Sequence, residues 1–439
     1  MNIVFAIEYF LPFGPGGAER STHKWAQMLA QKGHKVRIVT PDLADGKNDK
    51  SYPEDEALEN FGDAKVLRFP FSRSMSLPPR VFPSYVYGNL PFHKLFAGHI
   101  ARVARKFGAD LIVAQGLDAI WPTWMAARTL GISCIATIRD YRALCPMSIC
   151  LHHNDLSPLR CGYGDFLKCV RQYNDDYRYR PGPFGLAKNY ARRTLEWRNS
   201  RRIQKALVRM DGGVFVSEGI RKIYANAKLL PMSSIAVYNL APDPGQKVDT
   251  ALAIEKFKLQ NKRLLLFVGR FSIGKGAQTL VKALPLILEK APNCQVVVAG
   301  ANEFKPPPLD GLIFAGTVDR PMLHSLYAAA QGVLLPSRWP EPFSRVLLEA
   351  ARFNVPVVAT RAGGNPEAII HGENGFIVER ENPEEYANAC LSLLNMPKDK
   401  RQSMKESMGN LLVGKLAKES QVEKLETFLE TIAKRGKKL

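Results

Sequence analysis

Residues 337–349 read S-R-W-P-E-P-F-S-R-V-L-L-E. An apolar run at 332–335 precedes them and V-L-L-E-A-A-R closes them, the pattern of a strand, a loop and a helix. Pro342 suits the first helical position, where no amide hydrogen is required. On that register the amides of Phe343, Ser344 and Arg345 are the open donors of a helix start, a ready anion site. Glu341 stands in the loop and Glu349 two turns down the helix. A helix carrying most of that spacing would hold them roughly 10 Å apart at ~1.5 Å per residue. A retaining glycosidase pair sits about 5 Å apart, so these two acids are expected to hold different parts of one long ligand. The plainer reading is a capped helix with two surface acids.

Upstream, a strand at 264–268 opens the C-terminal half and runs into G-R-F-S-I-G-K-G. This loop sets two cations, Arg270 and Lys275, after a strand end, where open α/β sheets bind ligands. Arg offers a planar fork to phosphate and Lys a point charge. The loop lacks the G-x-x-x-x-G-K-S/T spacing of a Walker motif. Phe314-Ala315-Gly316 follows, then Pro356-Val357-Val358-Ala359-Thr360 with Gly363-Gly364 and Glu367.

Taken in this order, these segments and the Glu341–Glu349 spacing resemble the retaining, nucleotide-sugar-dependent glycosyltransferases of family 4. The resemblance implies an α/β chain of GT-B fold. Two Rossmann-like doubly wound parallel-sheet domains would face a cleft, and a C-terminal helix would return to the first domain. It implies that Glu349 accepts hydrogen bonds from the nucleotide ribose, and that Arg270 and Lys275 stabilise charge on the departing diphosphate. The amides after Pro342, at Phe343 and Ser344, would touch phosphate or sugar, and Glu341 would orient the sugar. Ser344 stands where the family usually has glycine, which narrows the space near the sugar.

The N-terminal half opens on a strand at 3–7, the loop L-P-F-G-P-G-G-A-E-R and a helix to about Gln31, with Trp25, Met28 and Leu29 inward. A strand at 35–40 completes a β-α-β unit. Gly14, Gly16 and Gly17 let backbone amides approach an anion or simply make a tight turn. In family 4 the Gly-Gly-Ala-Glu matching Gly16 and Gly17 lines the cleft opposite the donor diphosphate. Residues 40–66 read as polar loop, 65–71 as a strand, and the Pro- and aromatic-rich 77–92 as a functional loop near the acceptor. A later strand, at 132–138, ends in T-I-R-D-Y-R-A-L-C-P. Family members commonly have His-Asp-Tyr here, the His beside the transferred sugar; this chain has Arg139-Asp140-Tyr141. Arginine accepts no proton at ordinary pH but can bind hydroxyls or phosphate. A sugar-nucleotide-binding descendant without turnover is therefore one alternative to a transferase, and a membrane-associated scaffold is another.

Four cysteines, Cys145, Cys150, Cys161 and Cys169, cluster within 25 residues with His152 and His153 between. Their spacings lack the Cys-x-x-Cys knuckle of zinc ribbons. Free thiols in an irregular lid are expected, with a structural zinc or cross-link as the alternative. Residues 178–210 then read as a basic helix, with Ala187, Tyr190, Ala191, Thr194, Ile203, Ala206, Leu207 and Met210 at helical spacing. Such a helix has one packed face and one solvated basic face, and can also dock on acidic lipid.

A chain of 439 residues, 46% hydrophobic and 23% charged, is long enough for two domains. The divisions expected are 1–245, 246–404 and a returning helix at 405–439. No apolar run reaches the ~20 residues of a membrane span. The opening M-N-I-V-F-A-I-E reads as a strand rather than a signal peptide, so a cytoplasmic, membrane-peripheral enzyme is expected. A net charge of +20 suits polyanionic partners. No nucleic-acid-binding module is recognisable, which leaves an acidic membrane surface and a phosphorylated donor. The expectation is a retaining transferase that uses a nucleotide-diphosphate sugar, needs no metal, and acts on a glycan or lipid-linked acceptor in cell-surface polysaccharide or glycolipid synthesis.

Overall fold

The computed structural model describes residues 1–11, 17–42, 58–61, 64–69, 90–148, 160–176, 182–241 and 248–436. The chain divides into two compact units, one of Met1–Asn154, Pro158–Asn239 and Glu419–Leu439, the other spanning Leu240–Lys418.

The first unit carries strands β1 (Asn2–Ala6), β2 (Lys35–Pro41), β3 (Leu58–Phe61), β4 (Ala64–Phe69), β5 (Leu111–Ala114), β6 (Ser133–Ile138), β7 (Gly212–Phe215) and β8 (Ser233–Ala236). They form one sheet in the order β3-β4-β2-β1-β5-β6-β7-β8, parallel except for the antiparallel edge pair β3/β4. Its central strands are mostly apolar and buried nearly throughout, as both-face burial in a parallel sheet demands. The helices are α1 (Gly17–Gln31), α2 (Leu90–Phe107), α3 (Ile120–Leu130), α4 (Tyr163–Asp176), α5 (Pro183–Leu207) and α6 (Glu218–Asn226).

The second unit holds α7 (Ala251–Lys256), β9 (Arg263–Val268), α8 (Ala277–Lys290), β10 (Cys294–Ala299), β11 (Leu312–Gly316), α9 (Arg320–Ala329), β12 (Gly332–Leu335), α10 (Arg345–Arg352), β13 (Val357–Thr360), β14 (Gly375–Val378), α11 (Pro383–Leu394) and α12 (Lys398–Asn410). Its sheet runs β11-β10-β9-β12-β13-β14, parallel throughout. Leu280, Leu284 and Ile287 of α8 and Tyr386, Cys390 and Leu393 of α11 pack on Leu265, Phe267 and Val296 of the strands.

Both sheets reverse their winding once, between β1 and β5 and between β9 and β12. A ligand crevice forms at the carboxyl ends of strands flanking such a reversal. The last helix, α13 (Lys418–Gly436), packs into the first unit through buried Val422, Leu425, Leu429 and Ile432. Gln421 Oε1 accepts from the Tyr238 amide at 3.0 Å, and His34 Nε2 meets Glu426 Oε1 at 2.9 Å.

Five local expectations are corrected. The polar stretch before residue 66 contains a strand, β3, paired on the sheet edge. The cysteine-bearing insertion is not wholly irregular, because α4 forms across Cys169. The tail is two helices, α12 and α13, broken after Asn410. The basic helix, α5, hides a polar face: Asn189, Asn199, Ser200 and Gln204 are buried with Ile203, Ala206 and Leu207, while Ala187 and Ala191 are exposed. Tertiary hydrogen bonds set this rotation. Gln204 Nε2 donates to the Ala143 carbonyl at 2.7 Å, and Asn189 Nδ2 donates to Asn174 Oδ1 at 3.1 Å. Finally, α10 starts at Arg345 with Ser344 as its N-cap. Pro342 and Phe343 lie in the loop, so the first helical turn belongs to Arg345 and its successors rather than to Phe343.

Candidate functional site

In the second unit the β9 and β12 loops meet at the winding reversal. Gly276 is why they can approach so closely. It sits at φ +82°, and an added Cβ would lie 1.7 Å from the Pro336 carbonyl oxygen. The Gly274 carbonyl accepts from the amides of Arg338 and Trp339, both at 3.1 Å. Lys275 is thereby carried onto Glu341, Nζ to Oε2 2.5 Å. The same carboxylate oxygen accepts from Trp339 Nε1 at 2.8 Å and Ser337 Oγ at 3.4 Å. Glu341 is 7% exposed, and Lys275 also lies over the Trp339 ring, 5.0 Å from its centroid. A buried carboxylate with three donors is a fixed acid, not a mobile surface one. Its backbone is fixed too: the Gly364 amide donates to the Glu341 carbonyl at 2.7 Å. Gly363, at φ +55°, has no room for a Cβ beside that oxygen.

Glu349, one turn into α10, accepts from the buried Tyr327 hydroxyl at 2.8 Å. Tyr327 in turn stacks on Phe353 at 5.3 Å. Burial, and then the Glu349 charge, push the Tyr327 hydroxyl well above the usual phenol range, so it stays a donor. Only the latter half of the stretch from Glu341 to Glu349 is helical. The Arg270 side chain is 71% exposed and meets Glu303 at 3.5 Å. It therefore stands at the same strand end as Lys275 without sharing its contact. Ser344 is buried, and its hydroxyl makes no capping hydrogen bond to α10.

In the first unit the reversal lies at the ends of β1 and β5. Arg139, just after β6, donates to the Gln115 carbonyl and to Gln115 Oε1, the latter at 2.6 Å. Asp140 instead engages Arg142, accepting from its amide at 2.9 Å and its Nε at 2.8 Å. Gly17 begins α1; Gly14 and Gly16 lie outside the described residues.

Sequence reading missed two acids here. Glu8 follows β1 and Asp118 follows β5; they are 5% and 2% exposed. Burial raises both pKa values, Asp118 to about 8, with the Glu8 charge the next cause there. The one signal in the sequence is Gly116, whose absent side chain admits Glu8: a Cβ would sit 1.8 Å from Glu8 Oε2.

Of the cysteine cluster, Cys145 and Cys169 are buried beside Met147, Phe166 and Val170. Burial pushes the Cys145 thiol up to about 12. Cys161 is half-buried, and Cys150, His152 and His153 lie outside the described residues. Among the described residues the side chains gathered tightly enough to share a metal ion are His34, Glu426 and Glu430, on the α13 packing surface rather than in the cysteine cluster.

Comparison with known proteins follows the same division. Residues 250–409 match the family model described as glycosyl transferases group 1. A D-inositol 3-phosphate glycosyltransferase of Arthrobacter sp. is 31% identical over 221 residues, 43% of this chain and 51% of that protein. The chain's matches span about a third to a half of the curated relatives' own length. Whole-chain similarity is structural. Sucrose-phosphate synthase from Thermosynechococcus elongatus superposes with a TM-score of 0.68 at 17% identity, covering 98% of this chain and 99% of that one. HepE of Anabaena, solved in complex with UDP, gives 0.64 at 18%, covering 98% and 100%. These neighbours share the two-domain GT-B fold. Residues 15–238, more than half of the chain, match the model for Glycosyltransferase Family 4; the chain belongs to that family.

Proposed function

We propose that the protein is a retaining transferase that takes a sugar from a nucleotide-diphosphate donor bound at the second unit's winding reversal. The observation that carries this reading is the fixed constellation of Lys275, Glu341 and Glu349 at the carboxyl ends of β9 and β12. UDP in the HepE structure supports a nucleotide donor. Glu349, one oxygen held by Tyr327, offers the other to the ribose hydroxyls. Glu341 orients the sugar and holds Lys275 in place. As the sugar–phosphate bond breaks, negative charge builds on the diphosphate, where Lys275 and Arg270 stabilise it. Fixed cations suffice for that charge, so the reaction requires no metal. The Phe343 and Ser344 amides serve the sugar. Arg139 and Asp140 belong to the acceptor side, their side chains held by Gln115 and Arg142.

The acceptor on this reading is a glycan or lipid-linked sugar of cell-surface polysaccharide or glycolipid synthesis, met at an acidic membrane face. In support, α5 exposes Lys188, Arg198 and Lys205 with Phe184, which is 86% exposed, the mixture that suits a lipid headgroup layer. No helix among the described residues is long and apolar enough to cross a membrane.

The test is the stereochemistry of transfer. With the native donor, proton NMR of the first product should show the donor's anomeric configuration, and EDTA should leave the rate unchanged. An inverted product would reject the retaining assignment, and loss of rate restored by added divalent metal would reject the metal-free one.

A further inference from the structure

One group of metal-ligating side chains in the first unit lies away from the candidate site. His34 directly precedes β2 and so stands at the amino end of the parallel strands, whereas Arg139 follows β6 at their carboxyl end. Against His34, α13 lays Glu426 and Glu430, four residues apart and therefore on one helix face. His34 Nε2 lies 2.9 Å from Glu426 Oε1, and Lys32 Nζ 2.5 Å from Glu426 Oε2. One ligand atom from each of His34, Glu426 and Glu430 lies within 4.8 Å of the other two. The His34 side chain is only 7% exposed, and its Nδ1 meets the Met1 amino group at 3.1 Å, so the ring is held on both sides. Like charges four residues apart on a helix repel, and Glu423 adds a third acid within electrostatic reach of Lys32. The lysines offset them loosely: Lys32 on a half-exposed stem, and Lys434 at 3.9 Å from Glu430 Oε2. A neutral imidazole relieves none of that repulsion, but as a ligand it shares a cation with both acids.

We propose that His34, Glu426 and Glu430 bind a divalent transition-metal ion of the zinc class, which clamps α13 onto the first unit's sheet. One imidazole and two carboxylates are ligands such an ion takes, with water completing the shell. Magnesium and calcium, which prefer all-oxygen shells, suit the imidazole less. Tetrahedral ligands at ~2.1 Å from zinc lie roughly 3.4 Å from one another, so the cluster closes by at most about 1.5 Å, within reach of a carboxylate side chain. Lys32 competes with the ion for Glu426, and its exposed stem lets it swing into solvent. The clamp stands at the end of the strands opposite Arg139. Removing the ion therefore lowers stability and leaves the transfer rate unchanged.

The test uses the full chain, stripped with EDTA and returned to metal-free buffer, with zinc chloride as the probe. Isothermal titration of wild type should show a zinc site that Glu430→Gln weakens tenfold or more. Zinc should also raise the melting temperature of wild type, as any ligand of the native state does, and by more than it raises that of Glu430→Gln. His34→Gln should act in the same way; should that variant fail to fold, Glu430→Gln, altered at a half-exposed side chain, decides. Lys32→Gln frees Glu426 of its competitor and should tighten the site threefold or more. The cysteines between residues 145 and 169 offer zinc other ligands, but zinc held there would be kept in all three variants. No zinc binding, or equal affinity and equal thermal shift in wild type and Glu430→Gln, would overturn the site and leave Lys32, His34 and Glu426 as an ion-paired contact only. Affinity unchanged or weakened in Lys32→Gln would also overturn it, because the ion would then not share Glu426.

Discussion

Lys275 and Asp118 illustrate how single residues carry the account. Lys275 is held by Glu341 at 2.5 Å and faces Trp339, so it is positioned before any ligand arrives. An interaction that strengthens as charge develops lowers the barrier more than it tightens ground-state binding. Lys275→Ala is therefore expected to cut kcat by about 10²-fold, the size of losing one such preorganised contact, with a smaller change in donor KM. Steady-state kinetics decide this, and a pure KM effect would place Lys275 in ground-state binding only. Asp118 predicts a pH dependence of stability. Burial and the Glu8 charge raise its native pKa to about 8 from an ordinary 3.8, while Arg142 and the Asn199 hydrogen bond oppose and the Asp140 charge adds. The native state thus keeps a proton that the unfolded chain releases. The associated stability is full below about pH 4 and drains as pH rises toward 8. Asp118→Asn cannot ionise, so its melting temperature should exceed wild type by a margin that widens from pH 5 to pH 8. A margin constant with pH would show that Asp118 does not titrate this way.

Elements place these residues. The two loops of the second unit close only because Gly276 lacks a side chain. Gly276→Ala should lower the melting temperature and, by shifting Lys275, lower kcat as well; wild-type turnover in this variant would mean the loop contact does not set the site. This element was largely legible in the sequence. A Gly-rich loop after an apolar run, and the 337–349 motif after another, mark strand ends on their own. The start of α10 was not, because Pro342 satisfies the rule for a first helical residue while the chain spends three more residues looping across Gly363 and Gly364. Nor was the inward face of α5. Alanine spacing pointed to one stripe, but hydrogen bonds from Gln204 to Ala143 and from Asn199 to Asp118 turn another inward. Contacts across 61 and 81 residues leave no periodic trace in the helix itself. Strand β3 is short, and its pairing with β4 rather than its own pattern defines it. Glu8 was invisible for a related reason: one acid after a strand is unremarkable until Gly116 and Asp118, more than a hundred residues later, enclose it.

For the whole molecule, the net charge of +20 acts through surface rather than fold. If α5 meets acidic lipid, binding to phosphatidylserine vesicles should fall as salt shortens the Debye length to ~3 Å at 1 M. Joint replacement of Lys188, Arg198 and Lys205 by Glu should weaken it at low salt, each cation near the surface contributing about 1 kcal/mol. Vesicle binding indifferent to both would remove the membrane from the account. The claim beneath all of these is that the second unit holds a nucleotide diphosphate between Lys275 and Glu349. Isothermal titration of the full chain with UDP, GDP and ADP, on wild type and on Glu349→Ala, tests it most directly. One nucleotide should bind with 1:1 stoichiometry, and the variant, still folded, should bind it at least tenfold more weakly. No binding by any of the three, or equal affinity in the variant, would contradict it.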